Sequence, residues 1–301
     1  NSMKRSKITI LLAIVLGMTF HSCLDLEPQD QLGGKNMWTS VNDYKQFANT
    51  FYSWTRDFSS VVYDGTHSDK RSDLITYQSY NEFSRGINSI PSSDANYTDN
   101  YKHIRRTNLL LQNAEAYAKP EDIKQYIGEA YFFRAYSYFD LLQLYGDVII
   151  TKKPLDITDP EMKVKRNDRS EVVDLIIDDL NHAVENLPAF KELTTEEEGR
   201  ISKEGAQAFL SRVALYEGTW QKSRNGNQNT QRSANLLDIA AKAARTVIDA
   251  KYGYTFRLFG TDSETKILGD SAQKYMFILE NEKSNPAGIK KSSNHEYIFA
   301  R

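Results

Sequence analysis

The chain of 301 residues contains a single cysteine, Cys23, and carries a formal net charge of only -2. One cysteine excludes both an intrachain disulfide and a metal cluster built from several thiolates. A nearly neutral chain offers no field of one sign to attract a polyanion, so nucleic acid is not an expected partner. The apolar run at residues 8–20 is shorter than the roughly 20 residues that a membrane-spanning helix needs.

The sequence also lacks the patterns of common catalytic and cofactor sites. There is no G-x-S-x-G motif, no glycine-rich phosphate loop and no dinucleotide fingerprint. No histidine has a second one three or four positions away, the spacing that would form a zinc-binding helix face. The five histidines are His21, His67, His103, His182 and His295. We therefore expect a protein that is not an enzyme and that holds neither a metal nor a cofactor. An exported hydrolase is an alternative, but the sequence shows no identifiable catalytic pair for it.

The amino terminus has the pattern of an export signal. A basic start followed by the apolar run at residues 8–20 predicts a signal peptide over residues 1–22. Ser22 before Cys23 resembles the end of a bacterial lipobox, which predicts an acylated Cys23, a tether over residues 23–36 and anchorage to a membrane. The residues before Ser22 are bulkier than usual for a lipobox, so ordinary cleavage that leaves Cys23 a free thiol is the alternative.

From residue 37 onward, apolar residues recur at helical spacing. The predicted helices cover residues 37–54, 97–117, 127–145, 168–187, 202–217 and 233–250. Gly218 is expected to end the fifth helix, residues 222–232 to form a polar loop, and residues 57–98 to form long loops. The final residues, HEYIFAR, alternate as a strand does. Small residues alternate with large aromatic ones, which predicts a mainly α fold of tetratricopeptide-like helical hairpins with long irregular loops and a few short strands.

The most informative stretch is residues 127–150, IGEAYFFRAYSYFDLLQLYGDVII. Its apolar side chains occupy a broad arc of a helix, which predicts burial against more than one neighbour. The opposite, polar arc carries Glu129, Ser137, Asp140 and Gln143. Arg134 lies within the apolar arc, where an unpaired guanidinium would cost several kcal/mol. We favour a structural clamp that holds a carboxylate or helix-end carbonyls; a ligand contact is the alternative.

One polar loop combines aromatic rings with hydrogen-bonding groups. The candidate ligand residues in this loop are Asp69, Arg71, Asp73, Tyr77 and Asn81. Such a mixture suits a carbohydrate, whose apolar ring face stacks on tyrosine while its hydroxyls meet the polar groups. An ordinary hydrated loop would have the same composition, so both interpretations stay open.

Together these residues carry a family resemblance. The stretch GEAYFFRAYSYFDLLQLYGDVII resembles the hallmark of the SusD/RagB family of outer-membrane nutrient-binding lipoproteins, with Ile149 where proline is usual. Further blocks agree in order, among them LDLEP after Cys23, GRISK at residues 199–203 and LYEGTW at residues 215–220. The resemblance covers nearly the whole chain.

The resemblance implies a lipid-anchored protein on the cell-surface face of a Gram-negative outer membrane. Such a protein captures a glycan or oligosaccharide and acts as a lid on a SusC-like TonB-dependent transporter, without catalysis. Tyr97 stands where many members have tryptophan, which implies a stacking contact with ligand. Members continue for about as much chain again, so we expect residues 37–301 to be a helical domain that lacks the usual C-terminal half. A protein-interaction scaffold that binds no glycan is the alternative.

Overall fold

The computed structural model describes residues 37–55, 85–224 and 230–299. Ser40–Arg301 forms one unit of the chain. The predicted signal peptide and tether, residues 1–36, lie outside the described residues, as does most of the predicted loop at residues 57–98.

The described residues are mainly helical, which confirms the predicted fold class. The helices are α1 Val41–Asn49, α2 Ala95–Glu115, α3 Lys124–Tyr145, α4 Arg169–Asn186, α5 Lys203–Arg224, α6 Thr230–Ile248 and the single turn α7 Ala272–Tyr275. A 3-10 turn, Thr50–Trp54, continues α1, and another, Pro120–Ile123, leads into α3. Within the described ranges, β-pairing is limited to an isolated antiparallel bridge between Val148 and Asn167.

Local side-chain chemistry explains where several helices begin and end. Ser40 caps α1, since its hydroxyl accepts from the Asp43 N–H while Asp43 Oδ2 accepts from the Ser40 N–H at 2.8 Å. The predicted start of α4 at Asp168 is confirmed, and the Asp168 N–H donates to Glu171 Oε2 at 3.1 Å. Gly146 ends α3 with a φ of 73°, a conformation that glycine adopts without steric cost.

Each helix from α2 to α6 packs against the next one along the chain, as expected for tetratricopeptide-like hairpins. The centre of this array is α3, which packs on both α2 and α4 and also contacts α1. Its largest fully buried side chains are Phe133, Tyr138, Leu141 and Leu142. Burial against several neighbours confirms the prediction from its broad apolar arc.

The predicted end of the fifth helix was wrong, because α5 continues past Gly218 to Arg224. Gly218 instead permits a close approach of α6, since a Cβ there would lie 2.9 Å from Leu237 Cγ. The polar segment predicted as a loop over residues 222–232 is helical at both described ends, Lys222–Arg224 and 230–232. Glycine marks either a helix end or a tight crossing, and only the neighbouring helix distinguishes the two.

The predicted carboxy-terminal strand was also wrong for its described part. Residues 295–299 form turns and bends, tied to the preceding segment by a bond from the Arg257 N–H to the His295 carbonyl of 3.0 Å. Alternation stabilises a strand only where a neighbouring strand completes its hydrogen bonds, and the described residues supply none. The segment between α6 and these residues contains a small core of its own, formed by Phe259, Leu268, Leu279 and Ile289.

Candidate functional site

The structure describes two of the predicted site residues, Tyr97 and Arg134. The other predicted positions lie outside the described residues. They are the lipidation site Cys23 and the loop residues Asp69, Arg71, Asp73, Tyr77 and Asn81. Their roles stay predictions.

Tyr97 lies in the first turn of α2, three residues after the N-cap residue. The cap is Asp94, whose Oδ1 accepts from the Asn96 N–H at 2.9 Å. The ring of Tyr97 lies 4.8 Å from that of Tyr101 and 5.3 Å from that of Tyr145, the latter at an angle of 87°. Edge-to-face and tilted pairs of this kind are attractive arrangements for aromatic rings. The result is a cluster of three tyrosines where α2 begins and α3 ends.

Hydrogen bonds hold the two neighbouring rings of this cluster in place. The Tyr101 hydroxyl donates to the Ile149 carbonyl at 2.8 Å, and the Tyr145 hydroxyl donates to Asp94 Oδ2 at 2.6 Å. Burial raises the pKa of Tyr101, so its hydroxyl stays protonated, while the bond from Tyr145 lowers the pKa of Asp94. Tyr97 therefore packs on a fixed support.

A groove of about 540 Å³ opens beside Tyr97. We call it the Tyr97 groove; it lies between α2 and residues 149–162. Its apolar lining comprises Tyr97, Tyr101, Ile149, Leu155 and Met162, and its charged lining comprises Lys102, Arg105, Lys153 and Glu161. Met162 lines the groove and is 51% exposed. An apolar surface with a few polar groups at its edge is typical of small-molecule sites.

Arg134 is buried, and each of its three guanidinium nitrogens donates a hydrogen bond to a protein group. Its Nε donates to Asp179 Oδ2 at 2.8 Å and its Nη2 to Asp179 Oδ1 at 2.6 Å, a bidentate pair. Its Nη1 donates to Asn108 Oδ1 at 2.8 Å. Burial by itself would lower the pKa of Arg134, but the bonds to Asp179 outweigh it and raise that pKa. Arg134 thus joins α3 to α4 and α2, an arrangement that supports the clamp interpretation.

The described residues contain neither a candidate membrane-spanning helix nor a candidate metal site. Along the described parts of the chain, no helix is both long and apolar enough to cross a bilayer. In those same parts, no group of three or more histidine, cysteine, aspartate or glutamate side chains could hold a metal ion.

Residues 24–215 match a family of SusD-like proteins described as starch-binding and associating with the outer membrane. The chain belongs to the SusD-like family. The resemblance found in the sequence is thereby confirmed.

Curated relatives of this SusD-like chain include two proteins of Formosa agariphila. SusD-like protein P38 is 28% identical over 233 residues, which cover 71% of this chain and 42% of that protein. SusD-like protein P2 is 26% identical and covers 98% of this chain and 59% of its own length. The chain therefore spans about half the length of the curated relatives it matches.

Solved structures show that the helical fold is shared. A SusD-like protein of Bacteroides fragilis superposes with a TM-score of 0.62 at 22% identity, covering 91% of this chain and 46% of the other. A SusD homologue of Bacteroides thetaiotaomicron gives a TM-score of 0.56 at 20% identity, covering 75% and 43% of the two chains. At these identities the likeness extends to the fold alone.

Sequence patterns missed two further buried ion pairs of this SusD-like fold. Glu129, predicted on the polar arc of α3, is completely buried, and both its carboxylate oxygens accept from Arg200 Nη1 at 2.7 Å. Arg169 Nε donates to Glu217 Oε2 at 2.8 Å, which joins the start of α4 to α5. Ser137, another residue assigned to the polar arc, is also buried. The helical wheel failed here because α3 is covered by more than one neighbouring helix, so positions on its polar arc also face the protein interior. Glu129 finds a partner there in Arg200, whereas the buried Ser137 Oγ has no hydrogen-bond partner among the described residues.

Proposed function

We propose that this chain is part of a cell-surface lipoprotein that captures a glycan or oligosaccharide and delivers it to a SusC-like TonB-dependent outer-membrane transporter. Membership of a family described as starch-binding and associating with the outer membrane supports this function. Two proteins of the same fold support a glycan ligand: a laminarin-binding SusD-like protein, with a TM-score of 0.51, and a protein whose structure was solved with a xylogluco-oligosaccharide, with a TM-score of 0.52.

The observation that carries the proposal is the Tyr97 groove. Sugars present an apolar ring face and a polar edge, so their sites combine an aromatic surface with hydrogen-bonding groups. Tyr97 supplies the aromatic surface, and the neighbouring Tyr101 and Tyr145 restrict its position. A side chain held in place before binding loses little conformational freedom when the ligand arrives.

Binding measurements on variants of Tyr97 test this role. We expect Tyr97→Ala to weaken binding of a laminarin or xyloglucan oligosaccharide up to about tenfold, because ring stacking contributes roughly 0.5–1.5 kcal/mol. Tyr97→Phe keeps the ring and should bind nearly as well as the unsubstituted chain. Tyr297→Ala removes a partly exposed tyrosine that does not line the groove and is the matched control.

Calorimetry or affinity electrophoresis with a panel of glycans gives the readout. Equal affinity in the Tyr97→Ala and Tyr297→Ala variants would show that Tyr97 does not contact the ligand. If no saccharide binds, while association with the transporter is retained, the alternative function of a protein-interaction scaffold would be favoured.

The anchor is a separate part of the proposal. The basic start, the apolar run at residues 8–20 and the Ser22-Cys23 junction support acylation of Cys23. Mass spectrometry of the protein from its native membrane should find a lipid-modified Cys23 at the mature amino terminus. An unmodified Cys23 thiol would refute lipid anchorage without affecting the groove.

A further inference from the structure

We propose that the Tyr97 groove selects oligosaccharides that carry anionic groups, either uronate carboxylates or sulfate esters. This inference rests on the proposed function, since it takes the groove to hold a glycan. It goes further by naming the chemical class of that glycan.

The first observation is the charge of the groove. Three of its charged lining residues are cations, Lys102, Arg105 and Lys153, whereas Glu161 is the one carboxylate among the lining residues. The chain as a whole is slightly acidic, with a net charge of -2. The residues that line the groove therefore carry an excess of positive charge, unlike the chain as a whole, and such a local excess favours ligands of opposite charge.

Arg105 is the cation best placed to receive an anion. It lies on α2, two turns after Tyr97, and its exposed guanidinium makes one long bond, from Nε to the Leu155 carbonyl at 3.4 Å. Within the described part of the chain, no carboxylate forms an ion pair with it. A guanidinium offers a planar fork of donors that matches the oxygens of a carboxylate or sulfate.

The two lysines are held by ion pairs that an anionic ligand could replace. Lys153 Nζ lies 3.0 Å from Glu161 Oε2, and Lys102 Nζ lies 2.8 Å from Asp99 Oδ1. All four side chains are about half exposed or more, so water screens these pairs. Little free energy is therefore lost when a lysine exchanges its carboxylate partner for an anion of the ligand. The groove thus combines a ring-stacking surface with cations able to reach substituents on the sugar.

Matched pairs of ligands separate charge from sugar shape. Calorimetry on the full chain would compare oligogalacturonate with its methyl ester, and a κ-carrageenan oligosaccharide with its desulfated form. We expect at least one anionic member to bind more tightly than its neutral counterpart, with an affinity that falls as salt is added. Which pair responds distinguishes a uronate ligand from a sulfated one.

Variants then locate the effect in the groove. Arg105→Gln and Lys153→Gln should each weaken the anionic ligand about two- to fivefold, the range for partly exposed ion pairs, and leave the neutral form unchanged. The control is Lys242→Gln on α6, which removes a lysine held in a comparable exposed pair with Asp238 at 2.6 Å. It should leave both affinities unchanged.

The outcomes separate this inference from the proposed function. Binding of neutral saccharides that equals or exceeds that of their anionic forms would overturn the charge preference and leave glycan capture standing. Equal losses for charged and neutral ligands in the Arg105→Gln variant would also overturn it. Absence of binding to every saccharide would refute glycan capture itself, and this inference with it.

Discussion

Arg134→Met should destabilise the protein strongly and leave the ligand affinity of its folded fraction unchanged. The substitution puts a long, apolar side chain in place of the arginine. It leaves the Asp179 carboxylate, which is 1% exposed, without its bidentate partner. Asn108 Oδ1 loses a donor at the same time. Removing one member of a buried ion pair costs about 3–5 kcal/mol, a large share of the roughly 5–15 kcal/mol by which a domain is stable.

A double-mutant cycle shows whether the pair acts as a unit. Asp179→Leu alone should be as damaging as Arg134→Met, since it leaves a buried guanidinium unpaired. The double variant should lose much less than the two single losses added together, because no unpaired charge remains. Arg245→Met is the matched control; Arg245 lies 3.8 Å from Asp249 in an exposed pair, so its loss should cost under about 0.5 kcal/mol.

Urea denaturation followed by circular dichroism gives the free energies of unfolding. A loss of less than about 1 kcal/mol for Arg134→Met, close to that of the surface control, would refute the clamp. Additive losses in the double variant would refute coupling between the two side chains. A variant that folds normally but has lost only ligand binding would show that Arg134 contacts the ligand.

Two further predictions concern packing and pH. Gly218→Ala should lower the free energy of unfolding by about 1–2 kcal/mol, since the added Cβ would lie 2.9 Å from Leu237 Cγ. In thermal melts, Gly218→Ala should lower the melting temperature less in a Leu237→Ala background than in the unsubstituted chain. A rise in melting temperature on Gly218→Ala would contradict this. The ring of His103 stacks on that of Trp54, with the ring centroids 4.1 Å apart. Burial lowers the pKa of His103 from 6.5 to about 4. Between those pH values the unfolded chain binds a proton that the folded chain does not, so stability should fall as the pH falls from 6.5 to 4. His103→Phe should flatten this dependence in denaturation curves; an unchanged slope would rule out His103 as its source.

Part of the candidate site could be predicted from the sequence. Tyr97 was found through the family resemblance, because its position in the motif is local. Arg105 and Lys153 were not, since they lie in segments that meet only when α2 packs beside residues 149–162. Nothing in the spacing of these residues along the chain indicates that they line the same groove.

Local features of the sequence were sufficient for most of the helices, the start of α4 at Asp168, and the need of Arg134 for a partner. These depend on near neighbours, through periodicity, capping bonds and the cost of burying a charge. Tertiary structure alone decided that the partner is Asp179, 45 residues away, and that Glu129 lies inside the protein. It also decided that Gly218 is a crossing point rather than a helix end. Such pairings depend on which helix faces which, and that geometry arises from packing of distant segments.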